Sequence, residues 1–216
     1  MGEKETGRLE AFSDGVFAIA ITLLIIEIKV PHLPPEAANR ELWAELLGLW
    51  PSFLALVMSF VSILIMWVNH HGLFGLVQRV DASLLFANGF LLLLITFVPF
   101  PTAVLADYLD RAAANTAAAL YCGTYVLINL AYNLLWHTAT HHRLLRAQVP
   151  AAHIQKLRRA YRLTLPVYVV AAALALFHAF VGLVVCSALW GVWAFLNYRP
   201  ADSRVGGRRP SQGEEP

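Results

Sequence analysis

The sequence is short of charge, short of cysteine, and empty of the short motifs that mark common catalytic sites. Only 14% of its 216 residues are charged, against about 25% in soluble domains. A soluble surface needs charge along its whole length. Here charge is confined to the gaps between long apolar runs, which excludes an ordinary globular domain and marks an integral membrane protein. The net charge of +2 is too small to point to nucleic acid, and none is expected as a partner. The 2 cysteines, Cys122 and Cys186, both lie in apolar runs. Too few for a disulfide scaffold or a zinc cluster, they are read as packing residues. No Walker, GxSxG or HExxH sequence occurs. No enzyme activity and no bound cofactor are therefore expected. A carbonyl-filter sequence of the TVGYG kind and an internal repeat are missing as well.

What is present is a series of apolar segments with helical lengths. The pattern predicts an all-α membrane domain over 1–199 with helices over 9–30, 42–70, 83–105 and 113–137. A basic segment, 141–162, reads as a charged loop with room for partial helix, its Leu144, Leu145, Ile154 and Leu157 available to lie on the bilayer against anionic headgroups. The last apolar stretch, 163–198, would reach roughly 54 Å as one helix, against about 30 Å of hydrocarbon. It is expected to divide near 178–182 into two short helices, six in all. The tail, 200–216, is rich in Pro, Gly, Ser and charge, and is expected to be a disordered cytoplasmic tail. The first apolar run has Asp14 before it and Glu27, Lys29 and Pro31 at its end, without a small-residue cleavage site. It is read as a retained helix, not a signal peptide.

Charge placement orients the bundle. Of the 16 Lys and Arg residues, only Lys29, Arg40 and Arg111 fall on the side opposite the N-terminus, and the other 13 fall on its own side. The positive-inside rule then places both termini of this multi-pass protein in the cytoplasm. Trp67, Trp136, Trp193 and Tyr198 at inner ends, and Trp43, Trp50 and Tyr108 at outer ends, read as interfacial belts.

Polar groups within spans are costly and each needs a reason. Arg8, Phe12, Ser13 and Asp14 open helix 1, Trp67, Asn69, His70 and His71 close helix 2, and Asn88 lies one turn into helix 3. All fall on the cytoplasmic side, so they can meet in one layer. One reading is an interhelical polar clamp, as buried polar groups in membrane bundles usually are. The other is a proton or ion site. His137, His141 and His142 have i, i+4, i+5 spacing but no cysteine nearby and only distant acids. Interfacial histidines beside a basic segment explain them better than a metal site.

Helix 1 has two separate faces. At about 100° per residue, Leu23 lies roughly 40° from Ile19, and Ile26 about 20° the other way. These three make an apolar stripe flanked by Thr22. Asp14 and Ser13 lie roughly 140° and 120° from Ile19, on opposite sides. On sequence alone the stripe faces lipid. With several copies of helix 1 around an axis, it would form stacked apolar rings, a dewetting constriction.

The run from Arg8 through Phe12-Ser13-Asp14 to Thr22 resembles the first helix of prokaryotic relatives of the lysosomal potassium channel transmembrane protein 175. Trp67, His70, His71, Asn88 and Pro99-Phe100-Pro101 extend the resemblance. It implies six helices per subunit and a homotetramer with helix 1 lining a central pore. Ile19, Leu23 and Ile26 then match the pore constriction, a hydrophobic gate, and Thr22 a residue linked to ion preference. Ala18 stands where some relatives carry serine. Arg8, Phe12, Ser13, Asp14, Trp67, His70, His71 and Asn88 match the structural signature that holds helix 1 to its neighbours. The expected activity is passive, potassium-preferring cation conduction, with the bilayer, monovalent cations and further copies of the chain as partners. The rivals are a proton-coupled carrier or proton conductor using Asp14 with His70 or His71, and a membrane enzyme with a histidine-bound metal.

Overall fold

In hydrocarbon every backbone donor and acceptor must be satisfied within the segment, which leaves an apolar run of this length little choice but a helix. The computed structural model describes residues 2–196, with side chains from Glu5 onward. Helix α1 spans Gly2–Leu23 and ends in a 3-10 turn, Leu24–Glu27. The remaining helices are α2 (Asn39–Gly48), α3 (Trp50–Phe74), α4 (Ala82–Phe97), α5 (Pro99–Tyr108), α6 (Ala114–His141), α7 (Ala151–Phe177) and α8 (Ala179–Ala194). They form six alternating apolar segments, because α4 and α5 follow each other in one direction and α2 precedes the span. Among the described residues, five segments are long and apolar enough to cross a membrane, and α8 is a shorter apolar helix of 16 residues.

Several boundaries differ from those expected. The second helix is divided at Leu49, with Pro51 in the first turn of α3, where a missing N–H costs nothing. The third is divided at Val98, just before Pro99, and continues to Tyr108. The largest difference concerns the helix expected to start at 163, which starts within the basic segment. α6 runs on to His141, and α7 already begins at Ala151, so most of the expected loop is helix. Only α8 is short. Residues Leu157, Tyr161, Thr164, Tyr168, Ala171 and Ala175 are buried on α7. Their steps of four and three make a continuous packing face that carries the helix through its charged first half. Tyr198 and the tail over 200–216 lie outside the described residues.

α6 is the central post, packing against α4, α5, α7 and α8. Polar side chains tie the helices together where lipid offers no hydrophobic drive. Asn129 donates to Thr164 Oγ1 (2.9 Å), Tyr132 to the Met66 carbonyl (2.6 Å) and Trp190 to Ser62 (3.0 Å). Such interhelical bonds average about 0.6 kcal/mol in membranes. Trp193 donates to the Tyr168 hydroxyl and Trp136 packs on Tyr161, and both are buried. These two tryptophans are core residues, not the interfacial belt expected of them. The turn between α7 and α8 is pinned by Asn115 of α6. Its amide donates to the Phe177 carbonyl, and its oxygen accepts from Ala179 N–H. A side chain at Gly182 would meet Ala175 at 2.4 Å, so glycine is needed where α8 crosses α7.

The loops after α3 and α6 are stitched on one side of the bundle. Val77 bridges Leu145, Gln78 N–H donates to Leu144 O (2.8 Å), and Arg146 N–H donates to Leu76 O (2.9 Å). Asp81 caps α4 through Leu84 N–H (2.8 Å) and pairs with His142 of α6. These two contacts, the Leu84 N–H first, hold its carboxyl below the ordinary value of 3.8. The start of α1 lies on this same side.

Candidate functional site

Helix α1 meets two neighbours, α3 and α4, and the polar residues of its first turns make those contacts specific. Ser13 is fully buried and donates to the Leu9 carbonyl one turn back (2.8 Å). Its oxygen accepts from the Asn88 amide of α4 (3.0 Å), and Asn88 Oδ1 faces His70 Nε2 of α3 at 2.9 Å. An amide oxygen only accepts, so the His70 proton sits on Nε2. The chain of donors runs in one direction, from His70 to Asn88 to Ser13 to a backbone carbonyl. It joins three helices without requiring a charge. The His70 ring is held between Phe17, at 5.3 Å between centroids, and Phe74, at 4.4 Å.

A second, more exposed pair of contacts lies beside this chain. Trp67 Nε1 donates to Asp14 (2.8 Å), and His71 Nδ1 meets Glu10 at 2.6 Å. Glu10 and Asp14 are four residues apart on α1, as are Trp67 and His71 on α3. One antiparallel register therefore satisfies both pairs. The expected layer is present, but two details differ. Asp14 is held by the Trp67 indole and not by either histidine. Arg8 and Phe12 are exposed and stand outside these bonds. Glu10 was missed by sequence reasoning, although its i, i+4 spacing to Asp14 matches that of His71 to Trp67.

Among the described residues, nothing covers the opposite face of α1. Ile19 is 57% exposed, Leu23 38% and Ile26 69%. Ile26 lies in the 3-10 turn, where residues three apart eclipse each other. It therefore sits above Leu23 and keeps the stripe straight, closer to alignment than an ideal α-helix would give. Thr22 flanks the stripe, exposed, with its hydroxyl donating to the Ile19 carbonyl (2.9 Å). The buried face of the same helix carries Phe17, Ala20 and Leu24.

Comparison with known proteins identifies the family. Residues 8–99 match the sequence profile of the family described as endosomal/lysosomal potassium channel TMEM175. A potassium channel of Chamaesiphon minutus is 49% identical over 189 residues, covering 87% of this chain and 92% of that protein. One from Streptomyces collinus is 46% identical over 181 residues, covering 80% of this chain and 86% of that protein. The crystal structure of a lysosomal potassium-selective channel TMEM175 homolog from Chamaesiphon minutus superposes with a TM-score of 0.79 at 46% identity. It covers 88% of this chain and 97% of the solved one. Similarity of this extent, along nearly the whole of both chains and including the α1 anchor, leaves one conclusion about lineage: this chain belongs to the TMEM175 family.

Proposed function

We propose that this chain is one subunit of a potassium-preferring cation channel, conducting passively through a homotetrameric pore narrowed by apolar side chains of α1. The observation that carries the reading is the uncovered stripe of Ile19, Leu23 and Ile26 on a helix whose other face is fixed by the Ser13–Asn88–His70 chain. A helix anchored so firmly on one side, yet bare on the other, is built to present that bare face. Similarity to proteins named potassium channels supports potassium as the permeant ion.

Four copies around an axis would stack three apolar rings. Water is expelled from a narrow apolar ring, and an ion cannot pass without part of its hydration shell. The rings therefore act as a hydrophobic gate, and widening or wetting them permits flux. Thr22, whose hydroxyl keeps acceptor capacity while donating to the Ile19 carbonyl, is assigned the influence on ion preference at the edge of the rings in this reading. Nothing in this mechanism requires a cofactor, a metal or a catalytic step. Both termini are assigned to the cytoplasmic face by the distribution of Lys and Arg, and similarity to bacterial channels supports a bacterial or archaeal cell membrane.

The Ile19→Asn variant in proteoliposomes tests the reading, because it replaces an apolar ring with one that wets. Potassium flux is expected to rise, or potassium preference over sodium to fall. Unchanged flux and preference in a normally assembled variant would remove Ile19 from the constriction. A proton carrier using Asp14 with His70 or His71 is the weaker reading. The Asp14 side chain accepts from an indole N–H, which does not serve as a proton-relay acid or base, and His70 is committed to Asn88.

A further inference from the structure

We infer that the groove between the end of α6 and the start of α7 is a binding site for the phosphate headgroup of an anionic phospholipid. The groove has a volume of about 450 Å³. Arg158 and Arg162 line it from α7, and His137 and His141 line it from α6. Each pair is spaced i, i+4, so each lies along one face of its helix, and the two faces oppose each other. The two imidazole rings stack, with centroids 5.4 Å apart. Among the described residues, no carboxylate lines the groove and neither arginine makes an ion pair with an acid. Two guanidinium groups and two imidazoles facing one space without a counter-charge make a site for an anion. Guanidinium forks suit phosphate oxygens in particular.

A second observation lies in the same groove. Trp136 lines it at 2% exposure, and its indole N–H has no hydrogen-bond partner. Buried donors are almost always paired, and the hydrogen-bonding groups of a seated headgroup are the nearest chemistry on offer. Asn133, also on the groove, spends its amide N–H groups on Asn129 and on the Tyr161 carbonyl. Its own position is therefore fixed before any ligand arrives.

What distinguishes a lipid from a free phosphate is the continuation of these faces. Moving from the groove toward the middle of the bundle, the His141–His137 face of α6 continues through Leu134 and Leu130, both exposed. The Arg158–Arg162 face of α7 continues through Pro166 and Val169, also exposed. A cationic groove is thus followed along both helices by exposed apolar side chains, in the order that a headgroup and its acyl chains require. The groove is on the side that carries the start of α1, where basic residues concentrate and anionic lipid is expected.

The site makes a prediction that does not depend on ion conduction, so it can fail while the channel reading stands. The full chain in a mild detergent is titrated with dioleoyl phosphatidylglycerol and, separately, with dioleoyl phosphatidylcholine, and lipid-bound species are counted by native mass spectrometry. Phosphatidylglycerol is expected to bind more tightly. Arg158→Gln and Arg162→Gln are each expected to weaken it roughly 5-fold, the effect of one basic residue near an anionic surface. Arg159→Gln, one residue away on α7 and outside the groove, is the control and is expected to bind as the parent chain does. Equal loss in the control would mean a diffuse positive surface and overturn the site. Parent-like binding by both groove variants would do the same. The two single variants keep the test open if the double variant does not fold. Glycerol 1-phosphate is the final arm: if it binds as tightly as the lipid, the site belongs to a soluble phosphate and the lipid assignment fails.

Discussion

Asn88 is the residue on which the α1 anchor turns, since it accepts from His70 and donates to Ser13 in the same plane of the bundle. Asn88→Ala would leave a buried imidazole N–H without a partner, at a cost of about 1–3 kcal/mol. Glu10→Gln touches only an ion pair whose histidine is largely exposed, and exposed pairs contribute about 0–1 kcal/mol. Thermal unfolding in detergent is expected to rank Asn88→Ala well below Glu10→Gln. Equal midpoints for the two would mean that the buried chain does not anchor α1. Much of this layer could be read from the sequence, because polar residues in spans are rare enough to stand out. Their pairing could not. Asp14, His70 and His71 look like an acid with two bases until the helical faces are set. Asp14 then shares its face with Glu10 and meets α3 at Trp67. A resident of the same side, Arg143, could not be foreseen at all. It adopts φ 54°, the left-handed conformation that favours glycine, at the end of α6.

At the scale of elements, that left-handed residue belongs to a Schellman-type stop. Leu144 N–H bonds back to Ala139 O (2.9 Å) and Arg143 N–H to Thr140 O (3.3 Å), while Leu144 itself is buried. Arg143→Gly is expected to stabilise the chain by about 1 kcal/mol by relieving the left-handed strain. A β-branched residue there is expected to do the opposite. A lower midpoint for the glycine variant than for the parent would contradict this account of the stop. The cap on α4 gives a pH-dependent counterpart. Because its contacts hold the Asp81 carboxyl below 3.8, its stabilising effect is full above the unfolded value. It is lost as pH falls through the lower folded one. At neutral pH, Asp81→Ala is expected to cost about 1 kcal/mol, typical of an N-cap. The gap between variant and parent is expected to close below about pH 4. A gap that stays constant with pH would mean the carboxylate is not what caps the helix. The start of α7 shows why element boundaries were harder to read than element existence. Its first twelve residues are basic enough to pass for a loop. The 4-3-4-3-4 steps from Leu157 to Ala175 show their helical periodicity only when the eye crosses from the charged stretch into the apolar one. Gly182, by contrast, looked like an ordinary turn signal, and only its approach to Ala175 explains why no side chain is tolerated.

For the whole molecule, the question is what covers α1. Exposed apolar side chains on α8, such as Val184, need no explanation beyond lipid contact. The stripe on α1 would need none either, if α1 were only another lipid-facing helix. The physical difference lies in assembly: in the proposed tetramer, position 19 or 26 of one copy is near the same position of the next, while position 184 is not. Cys122 and Cys186 are buried, so the parent chain offers little background reaction to an aqueous reagent. Ile19→Cys and Ile26→Cys are each expected to give covalent dimers with a short bifunctional maleimide in the assembled protein, visible as a doubled mass on a denaturing gel. Val184→Cys is expected to stay monomeric under the same conditions. Dimers from Val184→Cys as strong as those from Ile26→Cys would mean random encounter in the micelle. Their absence from both α1 variants, with assembly intact, would leave the stripe facing lipid and take the pore away from α1. The sequence could not decide this, because a stripe of isoleucine and leucine is equally at home against acyl chains and around a dewetted axis. Only the number of copies around that axis separates the two.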